Sequence, residues 1–304
     1  MCALTGLIGC RDTTTLETYW PDGTARVRRQ VRKTGDEYIN HGRFAQWHEN
    51  GRRAVYAHYI DGRRNGPFTE WHDNGRKKRY GEYRDGREHG PWTSWHPNGR
   101  LRAHGSFDDG DREGLWTTWY ASGEKETEVK YVGGARDGVY QAWFPSGKPR
   151  ERGTYRHGVK EGEWVVWHAD GTRRSRGTYR DGKLNGTLAT WSADGRQLTE
   201  TQYADGLRHG TDTGWFPDGQ KAWSRQYARD VLHGAALTWH PNGQLASEGH
   251  YAAGVRTGRW IGWHDNGQQA WEKTFVDGQE QPGGRAWDRT GRETHAAAPP
   301  PDAP

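Results

Sequence analysis

Gly90-Pro91-Trp92-Thr93-Ser94-Trp95-His96-Pro97-Asn98-Gly99 opens a unit that continues through Arg100-Leu101-Arg102-Ala103-His104-Gly105-Ser106-Phe107 to Asp108-Asp109-Gly110-Asp111-Arg112-Glu113-Gly114. The first ten residues read as a short strand rich in Trp and Thr. Asn98-Gly99 supplies a tight turn, because both residues tolerate positive φ. The next eight read as a second strand that ends on an aromatic. Asp109-Gly110 opens a longer turn that closes at Gly114. The unit is a β-hairpin.

Outward from this stretch the same hairpin recurs. Eleven tryptophans stand at a strict interval of 24 residues: Trp47, Trp71, Trp95, Trp119, Trp143, Trp167, Trp191, Trp215, Trp239, Trp263 and Trp287. Each is followed four residues later by a glycine, from Gly51 to Gly291. The aromatic that closes the second strand recurs from Tyr59 to Phe275. One structural unit copied end to end predicts a stack of such units. Turn signals every dozen residues, with β-formers between them, predict strands, and glycine at this density disfavours helix. The expected fold is all-β: an elongated open array of stacked antiparallel β-hairpins. With strands ~4.8 Å apart, eleven hairpins predict a body roughly 100 Å long.

Composition pulls the other way. Mean hydropathy is −1.18 and 27% of residues are charged, values that resemble a disordered chain. Against this stand 18 Trp and 14 Tyr, most in fixed register. A buried aromatic removes roughly 150–250 Å² from water, worth about 4–6 kcal/mol gross at ~25 cal/mol/Å². Ordering a residue costs at least ~1 kcal/mol of backbone entropy. A lone unit therefore cannot stand, whereas a stack that buries each aromatic between neighbours can. The expected organisation is an N-terminal signal-like segment and linker (1–18), an array (19–294) whose first unit (19–46) is an irregular cap, and a disordered Ala/Pro tail (295–304). The cap follows from the spacing of 28 between Tyr19 and Trp47.

The pattern Gly-x-Trp-x-x-Trp-His-x-Asn-Gly … Gly-x-Tyr-x-Asp-Gly-x-x-x-Gly resembles the MORN repeat, and most closely its bacterial variant found in YwqK-type antitoxins. Clear examples run from Gly66 to Gly86, Gly90 to Gly110, Gly162 to Gly182 and Gly258 to Gly278. The resemblance implies a non-catalytic protein: a docking surface, a membrane-proximal scaffold, or a partner that neutralises a toxin. Two positions depart from the pattern, with Asp230 in place of a turn glycine and Pro282 in place of the glycine that closes the second turn.

His48, His72, His96, His168, His240 and His264 each follow a ladder tryptophan. Equivalent positions in adjacent hairpins lie two strands apart, roughly 9–10 Å, while zinc needs its ligands at about 2.0–2.3 Å. The row therefore reads as packing, and no metal or other cofactor is expected. No nucleophile constellation, P-loop, HExxH or strand-linked GxGxxG occurs, so the chain reads as a non-enzyme. Aromatic rows can stack bases or sugars, but the main tryptophan row reads as a buried structural ladder. On that view Trp143→Ala costs roughly 3–5 kcal/mol and Trp271→Ala, off the ladder, clearly less. A second row, Phe68, Trp92, Trp116, Tyr140, Trp164 and Trp260, precedes the first by three residues. The odd offset points it to the opposite face. Of the two rows it is the better candidate for an exposed binding stripe, though packing is the favoured role for it too.

Residues 20–105 contain 18 Lys and Arg against 10 Asp and Glu. The basic patch Arg76, Lys77, Lys78 and Arg79 is open to two readings: a protected sheet edge, or contact with an anionic membrane surface or acidic partner. Leu7-Ile8-Gly9-Cys10 resembles a lipobox, which makes Cys10 the lipidation candidate and the cell envelope the expected location, with the cytoplasm as the alternative. No stretch of 18 apolar residues occurs. The expected role is a non-catalytic scaffold for protein–protein contact, membrane-proximal or antitoxin-like, with a protein partner such as a toxin and no specific nucleic acid. The alternative is a module for cell-wall glycan or choline.

Overall fold

A computed structural model describes residues 13–294. Their regular structure is all strand with no helix, and the antiparallel sheet stays open instead of closing into a barrel. The chain divides into two compact units, Met1–Gly147 with Tyr155–Gly158, and Lys148–Thr154 with Val159–Pro304. Each is a series of hairpins in which a strand pairs with the strands next to it in sequence. The first hairpin joins Thr13–Tyr19 to Ala25–Thr34, so pairing already begins ahead of residue 19. The long strands Ala25–Thr34 and Glu37–Trp47 take up the extra residues of the irregular first spacing. Cys10, the lipobox-like segment and the Ala/Pro tail lie outside the described residues.

The two turns exchange the characters expected of them. At the first, His96 N donates to Arg100 O and Gly99 N to His96 O, both at 2.8 Å, which makes a three-residue loop. Only Gly99 has positive φ (89°). Asn98 is needed for its side chain: Oδ1 accepts from Arg100 N at 3.0 Å and Nδ2 donates to Ala121 O of the next hairpin at 2.7 Å. The second turn is the tight one. Asp108 pairs directly with Asp111, and Asp109 and Gly110 both sit at positive φ (48° and 93°). That is the primed geometry whose twist matches the flanking strands, and Gly114 lies within the following strand. At the departure Asp230, φ is 65° and its carboxylate accepts from both N and Nε of Arg208 at 2.9 Å.

The core lies on the face opposite to the expected one. Phe68, Trp92, Trp116 and Tyr140 in unit 1, and Trp164 and Trp260 in unit 2, are 2–8% exposed. The reading of this row as an exposed stripe is therefore corrected. The 24-residue ladder is the half-buried row instead, with rings that Arg and Lys of the preceding hairpin cover: Arg53 over Trp71 and Lys125 over Trp143, at 5.7 and 5.6 Å. The offset of three did separate the faces; it could not say which was inside. What decides is the seat. Each core ring lies over a residue of the preceding strand eleven positions earlier, and Gly81, Gly105, Gly153 and Gly249 lie under Trp92, Trp116, Trp164 and Trp260. A Cβ added at any of them would fall inside the indole. The second-strand aromatics meet the same rings edge-on, as in Tyr83–Trp92 (5.2 Å) and Phe107–Trp116 (4.9 Å).

Seat and ring trade volume down the alignment: Gly carries Trp, Ala57 carries Phe68, Val129 carries Tyr140 and Gly177 carries Leu188. Close packing requires such reciprocity. Trp271 also belongs to the core. It lies over its cross-strand partner Gly262 and packs on the cluster Ala236, Trp260 and Phe275. Trp271, half-buried like Trp143, therefore does not stand apart from the packing as its place off the ladder implied.

Unit 2 contains a stretch in which the series loses its rings. Leu188, Asp212 and Ala236 occupy the ring positions, over Gly177, Thr201 and Arg225. Asp212 is 8% exposed; it accepts from Thr201 Oγ1 at 2.6 Å and stands opposite Arg225. Burial holds its carboxyl above the usual aspartate value, against the opposing pull of the Thr201 hydrogen bond and of Arg208 and Arg225. A folded pKa above the unfolded one means a penalty absent at acid pH that grows as pH rises through the folded value. Amides of 186–239 are therefore expected to exchange faster than those of 90–167 at neutral pH, with the gap narrowing in acid. Hydrogen exchange followed by mass spectrometry measures this, and equal protection at both pH values would refute it.

Candidate functional site

Most of the conspicuous polar rows are consumed by contacts between successive hairpins. In the histidine row Nε2 meets the carbonyl of the next ladder tryptophan: His48 with Trp71 O at 3.1 Å, His72 with Trp95 O at 3.0 Å, His96 with Trp119 O at 2.7 Å. His168, His240 and His264 repeat the contact with Trp191, Trp263 and Trp287. Tyr120 reaches Trp143 O through its hydroxyl at 2.8 Å. The row staples first turns together, one hairpin to the next. Among the described residues no group of three His, Cys, Asp or Glu is placed to hold a metal ion.

A second row serves the other turn. Glu113 accepts from Gly133 N at 2.9 Å, Glu161 from Asp181 N at 3.0 Å and Asp137 from His157 N at 3.1 Å. Asn65 and Asn185 reach Asp85 and Asp205 at 3.3 and 3.2 Å. These side chains thus cap the turn of the following hairpin.

The basic patch is similarly occupied. Arg76 donates to Asn98 O, Lys77 lies 5.3 Å from the Tyr80 ring, Lys78 pairs with Glu70 at 2.7 Å, and Arg79 pairs with Glu88. Arg79 also lies 4.0 Å over Trp92. Exposed ion pairs of this kind contribute little stability each, but they engage the cations within unit 1. Lys78 and Arg79 also line a groove of about 430 Å³ floored by Trp92 and Trp116.

An exposed apolar run lies at the second-turn edge of unit 2. Leu207, Val231, Val255 and Val276 flank successive turns and are 41–53% exposed. Val231 and Val255 back onto the turn glycines Gly254 and Gly278 of the following hairpins, so the side chains form a stepped stripe. Ala204, Ala228 and Ala252 fill the paired positions across the turns. The corresponding columns in unit 1 are mixed: Ile60, Val132 and Ala135 are apolar, and Arg63, Arg84, Arg87, Asp108 and Asp111 are charged. Residue-by-residue reading of the sequence passed over this stripe. Reading the repeats column by column shows it, since columns that mix charged and aliphatic residues early are continuously apolar from Ala204 to Val276.

Comparison with known proteins agrees with the architecture. Residues 88–109, 136–157 and 232–253 match the family model described as MORN repeat variant. Comparison with curated proteins gives no match. Among solved structures, those titled "Crystal Structure of TcdB2-TccC3-Cdc42" and "Crystal Structure of TcdB2-TccC3-TEV" align with 92% and 91% of this chain, at 12% and 11% identity. Their TM-scores are 0.20 and 0.18, and the chain spans 18% and 19% of theirs. Similarity at that level carries no argument about fold or function.

Proposed function

The chain carries MORN repeats, generally modules of protein or membrane interaction and generally non-catalytic, and from that premise we propose that it is a protein-docking scaffold that engages its partner along the second-turn edge of unit 2. The observation that carries this reading is the stripe Leu207–Val231–Val255–Val276. Contiguous exposed apolar surface costs solubility and marks contact sites, and here it runs over four successive turns of unit 2, whereas in unit 1 the charged turns at Arg84–Arg87 and Asp108–Asp111 separate the exposed Ile60 and Val132. Neutralisation of a toxin is the narrower form of the proposal. Anchoring at the envelope through Cys10 is a separate proposal that rests on the sequence.

The test compares the wild-type chain with Val231→Lys/Val255→Lys and with Arg63→Ala/Arg87→Ala by proximity labelling in the native host. The expected result is a set of labelled proteins lost in the valine variant and retained in the arginine variant. Identical labelling in all three chains would refute the stripe as the docking edge.

A further inference from the structure

The first turn of the chain breaks the stapling rule. Trp20 N donates to Thr24 O and Gly23 N to Trp20 O, at 2.8 and 2.9 Å, the same turn that His48 makes with Arg52 and Gly51. Trp20 thus occupies the histidine row. Its side-chain donor, unlike those of His48, His72 and His96, reaches no carbonyl: Nε1 is buried and has no hydrogen-bond partner among the described residues. The irregular first spacing explains why, since the next first turn is displaced by the extra residues of Glu37–Trp47.

Beside this unsatisfied donor is a groove of about 830 Å³ lined by Trp20, Trp47 and Trp71 together with Gln46, His48, Glu49, Asn50, His72 and Asp73. The three rings are backed by arginines that do not line the groove: Arg26 over Trp20 at 4.7 Å, Arg28 over Trp47 at 5.9 Å and Arg53 over Trp71 at 5.7 Å. The backing stiffens each ring and leaves its other side to the groove. Lys78, also on the wall, is paired with Glu70, so the charge left over is that of Glu49 and Asp73. The size and the mix of aromatic rings with a few convergent polar groups fit a small-ligand site.

We propose that this groove binds a β-linked chain of neutral hexopyranose units. A pyranose ring presents an apolar C–H face that stacks on indole and a rim of hydroxyls that pair with carboxylate and amide, supplied on this wall by Glu49, Asp73 and Gln46. Trp47 and Trp71 occupy equivalent places in adjacent hairpins, roughly 9–10 Å apart, an interval close to that between every second ring of a β-1,4-linked chain. Two rings can therefore stack alternate sugars, with the Trp20 ring forming a further part of the wall. The leftover carboxylates disfavour a polyanion. The site lies wholly within unit 1, away from the apolar stripe, and is independent of the docking reading.

The experiment is isothermal titration of the full chain with cellohexaose and chitohexaose, with a Lys/Arg-rich peptide and a heparin hexasaccharide as further probes. The expected result is binding of at least one of the two neutral hexasaccharides. That binding falls at least tenfold in Trp47→Ala and in Trp71→Ala, each of which removes one stacking ring. Trp95→Ala, a ladder residue that does not line the groove, is expected to bind as wild type and controls for folding. Failure of both neutral hexasaccharides to bind, equal binding by Trp47→Ala and wild type, or binding of the peptide or heparin alone would each overturn the proposal.

Discussion

Trp164→Ala is expected to destabilise unit 2 by about 3–5 kcal/mol, the range of large aromatic truncations in packed cores. Trp167→Ala, three residues on and in the 24-residue ladder, is expected to cost clearly less. Trp164 is 2% exposed, with its ring over Gly153, Lys160 at 3.9 Å from the ring and Tyr179 edge-on at 6.3 Å. Its Nε1 donates to Thr154 O at 3.2 Å. Truncation loses the buried area, opens a cavity that the flat seat of Gly153 cannot fill, and leaves a carbonyl without its donor. Trp167 is only half-buried and gives up less area. Urea denaturation followed by circular dichroism compares the two variants. Equal losses would shift the structural weight back to the ladder.

Gly153→Ala is expected to be nearly as damaging, though it adds only a methyl group. The backbone of Gly153 lies outside the left-handed region that favours glycine. The substitution by itself would then help by about 0.4–1 kcal/mol through the unfolded chain. Packing decides the sign. The new Cβ would fall within the rigid indole of Trp164, not at the end of a flexible chain, and overpacking of this kind costs about 1–3 kcal/mol or more. Adding Trp164→Phe recreates the pairing of Ala57 with Phe68, both buried in unit 1. The double variant is expected to lose less than the sum of the two single losses, giving a coupling of about 0.5–3 kcal/mol in a double-mutant cycle. Additive losses would show that ring and seat do not touch.

Periodicity determined a good deal without coordinates. Tryptophan at every 24th residue, glycine four later and an aromatic closing the second strand require hairpins in series, because no other local structure tolerates glycine at that density while burying a ring per turn. The same spacing kept the histidines from sharing a metal. Only the tertiary structure decided which face is the core. Two aromatic rows at an odd offset are equivalent as patterns, and the choice depends on what lies beneath them in the preceding strand. Glycine under Trp92, Trp116, Trp164 and Trp260 admits a ring flat against the backbone. The ladder rings end their strands beside the first turn and stay half-buried. Neither could the sequence show that Arg76, Lys78 and Arg79 are engaged, since Asn98, Glu70 and Glu88 lie on neighbouring strands or turns. The seats are written in the sequence eleven residues before each ring, but they carry meaning only once the antiparallel register brings strand and ring together.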